Sequence, residues 1–282
     1  MLNILRKSSR VFRLILIKPS KYDDDGYVVR YWRGVLPSNT LSALYSMTKQ
    51  VVAEGCLPEG VTVEMTLLDE ISYKVDPKAL VKKHRRGGAK VAVMLVGVQT
   101  NQFPRAADIA RKFRALNVPV LIGGFHVSGS LALFKEVPEE LQSLMDDGVT
   151  LVKGEVEETL GGILRDVYDG RQKLLYDITE KPDLANAPIP EVTGKYLKKF
   201  AYPNMGTIDA GRGCPFSCSF CTIINVQGQK MRSRSPKAIG DHIRENISKG
   251  VNYYFFTDDN FSRNKNWEAI FDELIHLREV EG

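Results

Sequence analysis

Val91-Ala92-Val93-Met94-Leu95-Val96 runs into Gly97-Val98-Gln99-Thr100-Asn101 and then into a segment of helical period at residues 103–116. Six apolar residues without alternation predict a strand buried on both faces, as in a parallel sheet covered by helices. The segment behind it predicts the covering helix: Phe103, Ala106, Ala107, Ala110 and Phe113 fall on one stripe, with Arg105, Asp108, Arg111 and Arg114 largely on the other. The same unit recurs on both sides. Strands are predicted at 11–17, 61–68, 118–122 and 149–152, and helices at 40–53, 77–86, 131–144 and 157–168. Five strands alternating with five helices predict an α/β domain with a doubly wound parallel sheet, whose ligands bind beyond the carboxyl ends of the strands.

Composition narrows the class. The chain has 282 residues, 43% hydrophobic and 26% charged, with a net charge of +5, the balance of a globular protein. Much of its local basic excess lies at 6–13 and at Lys82-Lys83-His84-Arg85-Arg86. The second cluster ends a predicted helix, where cations suit the dipole, so nucleic acid is not an expected partner. No stretch approaches the roughly 20 apolar residues that span a bilayer. The first 20 residues lack the apolar core and small-residue cleavage site of a secretory signal, which predicts a reducing cytoplasm.

Farther along lies Gly211-Arg212-Gly213-Cys214-Pro215-Phe216-Ser217-Cys218-Ser219-Phe220-Cys221, carrying three of the chain's four cysteines. Three thiolates on one loop suit three irons of a cubane cluster, leaving the fourth iron open. Structural zinc, the competing reading, wants four ligands, commonly as two separated pairs, and no second pair exists here. Cys56 stands alone before Leu57-Pro58-Glu59-Gly60 and reads as structural.

The CxxxCxxC spacing, with aromatic Phe220 just before the third cysteine, resembles the signature of the radical SAM enzymes. The resemblance implies that Cys214, Cys218 and Cys221 ligate a 4Fe–4S cluster. Its open iron would chelate S-adenosylmethionine and cleave it to a 5′-deoxyadenosyl radical, with electrons from an external donor such as flavodoxin or ferredoxin. Phe220 would then lie beside the adenine.

Three predicted strand ends resemble the cobalamin-binding domain that precedes the radical SAM barrel in one subgroup of that family. They are Gly97 to Asn101, Gly123-Gly124-Phe125-His126-Val127-Ser128-Gly129, and Gly154-Glu155. The resemblance nominates Gln99, Thr100, Gly123, Gly124, His126, Gly154 and Glu155 as cobalamin contacts. On the residues alone, the two glycines also suit a tight strand-to-helix turn and His126 a satisfied turn histidine. No Asp-x-His-x-x-Gly run occurs, so the lower face of the cobalt is not expected to take that motif's histidine.

Asp183-Leu184-Ala185-Asn186-Ala187-Pro188-Ile189-Pro190 reads as a linker, since its prolines deny helix. The expected organisation is a flavodoxin-like cobalamin-binding domain at 1–182, a linker at 183–205 and part of a radical SAM barrel at 206–282. In that last part a strand at 207–210, a helix at 236–249, a strand at 252–257 and a helix at 266–280 make two βα units. By resemblance the barrel has about six, so the chain reads as a piece of it. The second strand runs into Thr257-Asp258-Asp259-Asn260-Phe261, and the resemblance places Asp258, Asp259 and Asn260 at the amino group of S-adenosylmethionine. The plain alternative is a solvated turn with one aspartate capping the next helix. Arg232 and Arg234 either meet the cofactor's carboxylate or solvate a loop.

These expectations converge on a cobalamin-dependent C-methyltransferase acting on a small-molecule or natural-product-like substrate. Two readings stand beside it: a radical SAM enzyme without cobalamin, doing cyclisation, rearrangement or oxidation, and an inactive piece that only binds cluster or cofactor.

Overall fold

The computed structural model of the protein describes residues 10–185, 187–191 and 193–281. Residues 6–9 of the basic stretch at 6–13 thus lie outside the described residues, as does Asn186 of the linker. The first part is built from β1 (Arg10–Lys18), α1 (Asn39–Ala53), β2 (Val61–Asp69), α2 (Pro77–His84), β3 (Lys90–Leu95) and α3 (Phe103–Arg114). It continues with β4 (Val120–Gly123), α4 (Phe125–Leu133), α5 (Glu139–Asp146), β5 (Thr150–Lys153), α6 (Leu160–Asp169) and β6 (Leu175–Asp177). The strands form one six-stranded sheet in the order β2-β1-β3-β4-β5-β6. Every pairing in it is parallel.

β1 shows why its sequence does not alternate. Successive side chains leave opposite faces of a strand, and here both faces are covered. Ile15 and Ile17 pack with α2, α3 and α5 through Leu80, Ile109, Phe113 and Leu144. Phe12, Leu14 and Leu16 pack with α1 and α6 through Leu41, Met47, Leu160 and Ile163.

Three expectations are corrected. The predicted helix at 131–144 is two helices, because Pro138 cannot extend the first and disfavours helical backbone at Val137. The break exposes Phe134. A sixth strand, β6, pairs with β5; its three residues are too few to carry a periodic signal. Arg105, assigned to the polar side of its helix, is buried and grips fully buried Glu70, with Nη2 to Oε1 at 2.5 Å.

After α7 (Gly194–Leu197) the second part runs β7 (Met205–Ile208), β8 (Gly211–Arg212), α8 (Ile223–Val226), β9 (Arg232–Ser233), α9 (Pro236–Ile247), β10 (Tyr253–Phe256) and α10 (Trp267–Glu279). β7 and β10 pair in parallel, which makes the two βα units. Ile208, Ala210, Ile239, Ile243, Ile270 and Leu277 form their core. α9 starts sharply: Ser235 Oγ accepts the Ala238 N–H at 3.1 Å and Pro236 opens the first turn. No helix among the described residues is long and apolar enough to cross a membrane.

Candidate functional site

The three cysteines sit on a loop whose ends are tied together. β8 and β9 pair antiparallel, with Arg212 opposite Arg232, so the chain leaves and returns at one place. Gly213 turns the chain at φ 96°, and a Cβ there would stand 2.5 Å from the Lys230 carbonyl, so only glycine fits. Cys214 N–H donates to Gly228 O at 3.2 Å and Cys221 N–H to Cys218 O at 3.1 Å. All four cysteines are free thiols; Cys218 is exposed, and Cys214 and Cys221 are half-buried. Phe220 is 90% exposed. Cys56 lies far from the loop, packed against the α1 and α6 side of the sheet.

The rim after β10 meets this loop. Asn260 Nδ2 points at Cys214 Sγ from 3.7 Å. Asp258 and Asp259, neighbours in sequence, do different things. Asp258 Oδ2 accepts the Ala210 N–H at 2.9 Å, bracing the strand that leads into the cysteine loop, while its buried Oδ1 has no partner. Burial pushes Asp258 up to about 6, against the pull of the Ala210 amide. Asp259 is also raised by burial, with Arg212 opposing. Its side chain opens on a cavity.

That cavity, of about 420 Å³, is enclosed from both parts of the molecule. One wall is the carboxyl edge of the sheet: Gly97 and Gln99 after β3, Gly123 and Gly124 after β4, and Gly154 and Glu155 after β5. Its interior reaches between the sheet and helices α1 and α6, along Leu44, Met94, Leu121, Leu160 and Ile163. The opposite wall is Arg212, Val226, Gln227, Thr257 and Asp259. Crevices at strand ends are where open α/β sheets bind ligands.

The three turns predicted to share an edge do so. Of the residues nominated there, Gln99, Gly123, Gly124, Gly154 and Glu155 line the cavity, whereas Thr100 and His126 do not. His126, in the first turn of α4, is buried and stacked on Phe103 with ring centroids 4.0 Å apart. Its Nε2 lies 3.0 Å from Glu140 Oε1 without hydrogen-bond geometry, and burial lowers its pKa. It packs in the interior, with Nε2 lacking a hydrogen-bond partner, rather than on the cavity wall.

What sequence reasoning missed is a buried charge cluster between the two parts. Glu155 binds Arg232 with both oxygens, at 2.6 and 2.9 Å, and accepts from Arg212 Nη1 at 2.9 Å. Arg212 also reaches Glu157 and, through Nε, Asp209 at 2.8 Å. Arg234 is fully buried and donates to the Asp209 and Ala187 carbonyls. Neither Arg232 nor Arg234 solvates a loop: both are consumed inside the protein. Burial would raise Asp209, but Arg212 and Arg234 outweigh it and hold the carboxyl below its usual range. The signal was present as Glu155-Val156-Glu157 and Gly211-Arg212-Gly213, but nothing local pairs residues 57 apart.

Comparison with known proteins follows this division. Residues 208–281 match the model of the Radical SAM superfamily and belong to it. The bacteriochlorophyllide d C-8(2)-methyltransferase of Chlorobaculum tepidum is 29% identical over 62% of this chain and 40% of its own length. The hopanoid C-2 methylase of Rhodopseudomonas palustris is 26% identical over 61% of the chain and 31% of its own. The chain thus spans less than half the length of these relatives. Two solved structures share the fold across nearly the whole chain. The radical S-adenosylmethionine methyltransferase TsrM from Kitasatospora setae, solved with tryptophan substrate and a SAM analog, superposes with a TM-score of 0.64 at 18% identity, covering 94% of this chain and 51% of TsrM. The cobalamin-dependent S-adenosylmethionine radical enzyme OxsB, solved with aqua-cobalamin and S-adenosylmethionine, gives 0.65 at 16% identity, covering 95% and 38%.

Proposed function

We propose, from the radical SAM membership of residues 208–281, that this chain is the cofactor-binding portion of a cobalamin-dependent radical SAM C-methyltransferase. The observation that carries the proposal is the cavity walled on one side by the glycine turns of the sheet and on the other by residues flanking the cysteine loop and the β10 rim. One reaction space shared by two cofactors requires such a junction.

The residues fit the groups. Three unpaired thiols on one loop, with the Asn260 amide aimed at one sulfur, supply the soft donor set of an iron–sulfur cluster. No three His, Cys, Asp or Glu side chains among the described residues are placed to hold a single ion. A cubane has no need of that, because each thiolate takes its own iron. On the sheet side, the apolar interior suits a flat organic group, and the glycine turns let backbone approach the ligand closely. Ser128 Oγ on the cavity wall accepts the Gly154 N–H at 3.1 Å, which leaves its own proton for a ligand.

The bound cofactors supply radical generation and the methyl group, and the protein supplies position and exclusion of water. Cys214, Cys218 and Cys221 hold the cluster. Phe220, fully available at the loop's tip, covers the adenine, and Asp259 and Asn260 receive the ammonium of S-adenosylmethionine. Asp258 is assigned to bracing Ala210 rather than to direct contact. Gln99, Gly123, Gly124 and Gly154 line the cobalamin site, while Thr100, exposed in the turn beside Gln99, and His126, packed on Phe103, stand outside the cavity. The division into a sheet domain at 1–182, a linker at 183–205 and a barrel portion from 206 follows the same reading. The substrate is a small molecule, the reductant an external flavodoxin or ferredoxin, and free thiols suit the cytoplasm.

Anaerobic reconstitution tests this. The chain is expected to take up about four irons, to change its visible spectrum on adding S-adenosylmethionine, and to bind hydroxocobalamin. Stoichiometric zinc in place of iron would refute the cluster assignment, and failure to bind hydroxocobalamin would refute the methyltransferase reading.

A further inference from the structure

The geometry points to Glu155 as the tie between the two halves of the site: one carboxylate on the cavity wall holds both arginines that shut the cysteine loop. Three observations carry this. The loop is closed at its base by the two-residue pairing of β8 with β9, and in that register Arg212 stands directly opposite Arg232. Like charges facing each other across an antiparallel pair repel. Both are largely buried, with side chains 14% and 9% exposed, so water screens little of that repulsion.

Glu155 cancels it. Its carboxylate takes Arg232 in a two-pronged contact and Arg212 through a third bond, reaching from the end of β5 in the other part of the molecule. Two-pronged arginine–carboxylate pairs fix direction as well as charge. Glu157 shares Nη1 of Arg212 and Asp209 takes its Nε, but neither touches Arg232. The other acceptors of Arg232 are neutral carbonyls, of Pro182 and Gln227. Among the described residues, then, Glu155 alone neutralises both sides of the pairing.

Glu155 also lines the cavity. A ligand seated there packs against the residue that keeps the cysteine loop shut, so filling the cavity tightens the loop. This second half rests on the proposed function, whereas the tie itself does not. Glu155 is thus a positioning residue that acts through Arg212 and Arg232.

Two measurements on the full chain test it. In the metal-free protein, trypsin is timed at Lys230, an exposed site inside the closed loop. Glu155→Gln is expected to be cut about tenfold faster or more, as an uncompensated buried charge opens the pairing. Glu155→Gln combined with Arg232→Gln, which removes the repulsion, is expected to return to within about threefold of wild type. In the reconstituted protein, hydroxocobalamin, added to each protein at the concentration that saturates it, is expected to slow iron release to a ferrous chelator in wild type and not in Glu155→Gln. Cleavage of Glu155→Gln within about twofold of wild type overturns the tie, since an unpaired buried charge costs more than that. Equal protection of iron in both proteins overturns the coupling. Wild type that takes no iron or binds no hydroxocobalamin sinks the proposed function, and the tryptic comparison still decides the tie.

Discussion

Replacing Gly124 by alanine strikes the turn that shapes the cavity wall. Gly124 has φ 137° and ψ −171°, a region open in practice only to glycine, and forcing another residue there costs of order 1–3 kcal/mol. A Cβ would stand 2.1 Å from the Val98 nitrogen and 2.7 Å from the Gly97 carbonyl carbon. These are backbone atoms of the neighbouring turn and cannot swing aside. Val98 N–H donates to Gly123 O and His126 N–H to Val98 O, both at 3.0 Å, so the two turns are stitched where the methyl would enter. Overpacking of this kind costs about 1–3 kcal/mol, for a total of about 2–6 kcal/mol. That is a large part of the roughly 5–15 kcal/mol that holds a domain together.

Urea unfolding followed by circular dichroism measures it. With a slope of about 2–3 kcal/mol per molar, the midpoint is expected to fall by about 0.7 M or more. Gly162→Ala is the control: at an exposed position of helix α6, with no atom within 4 Å of the added Cβ, it is expected to gain up to about 1 kcal/mol. A Gly124→Ala midpoint within about 0.3 M of wild type would show that the turn relaxes freely and that the steric argument is wrong.

Other outcomes follow from the same geometry. Burial raises Asp69 from 3.8 to about 6. Between those values the folded state keeps a proton that the unfolded state has lost, so stability falls by about 2–3 kcal/mol as pH rises from about 4 to about 6. Asp69→Asn is expected to flatten that part of a melting-temperature profile, and an unchanged slope would contradict the assignment. Arg234→Met leaves Asp209 short of one cation in a buried place and is expected to cost about 3–5 kcal/mol by urea unfolding. A loss under about 1 kcal/mol would mean that Arg212 neutralises Asp209 alone. Substituting any of Cys214, Cys218 or Cys221 by alanine is expected to abolish stable iron uptake, while Cys56→Ala, on the far side of the sheet, leaves the iron count at the wild-type value.

The exposed face of the second part has a plain physical basis. Among the described residues β10 pairs only with β7, and it carries Tyr253 and Phe255 at 61% and 49% exposure. In a parallel strand, aromatic residues facing outward are covered when another element packs over them. The portions aligned here make up 40% and 31% of the lengths of two relatives.

Sequence by itself determined most of the elements of the first part and their order. Unbroken apolar runs marked strands covered on both sides, and the period of residues 103–116 marked the helix behind the third. The glycine turns and the cysteine spacing are equally local, because a turn with positive φ or a loop of thiols is specified by a few consecutive residues. Where the reading failed, the deciding force was not local. Pro138 broke a helix whose apolar period continued across it, and Arg105 left its polar stripe for Glu70, a residue 35 positions away. Tertiary structure alone decided that Asp258 braces while its neighbour Asp259 opens on the cavity, and that His126 packs on Phe103 instead of facing a ligand. It alone joined Glu155 to Arg212 and Arg232. A buried charge has to find its opposite wherever the fold brings one, and no spacing along the chain encodes that meeting.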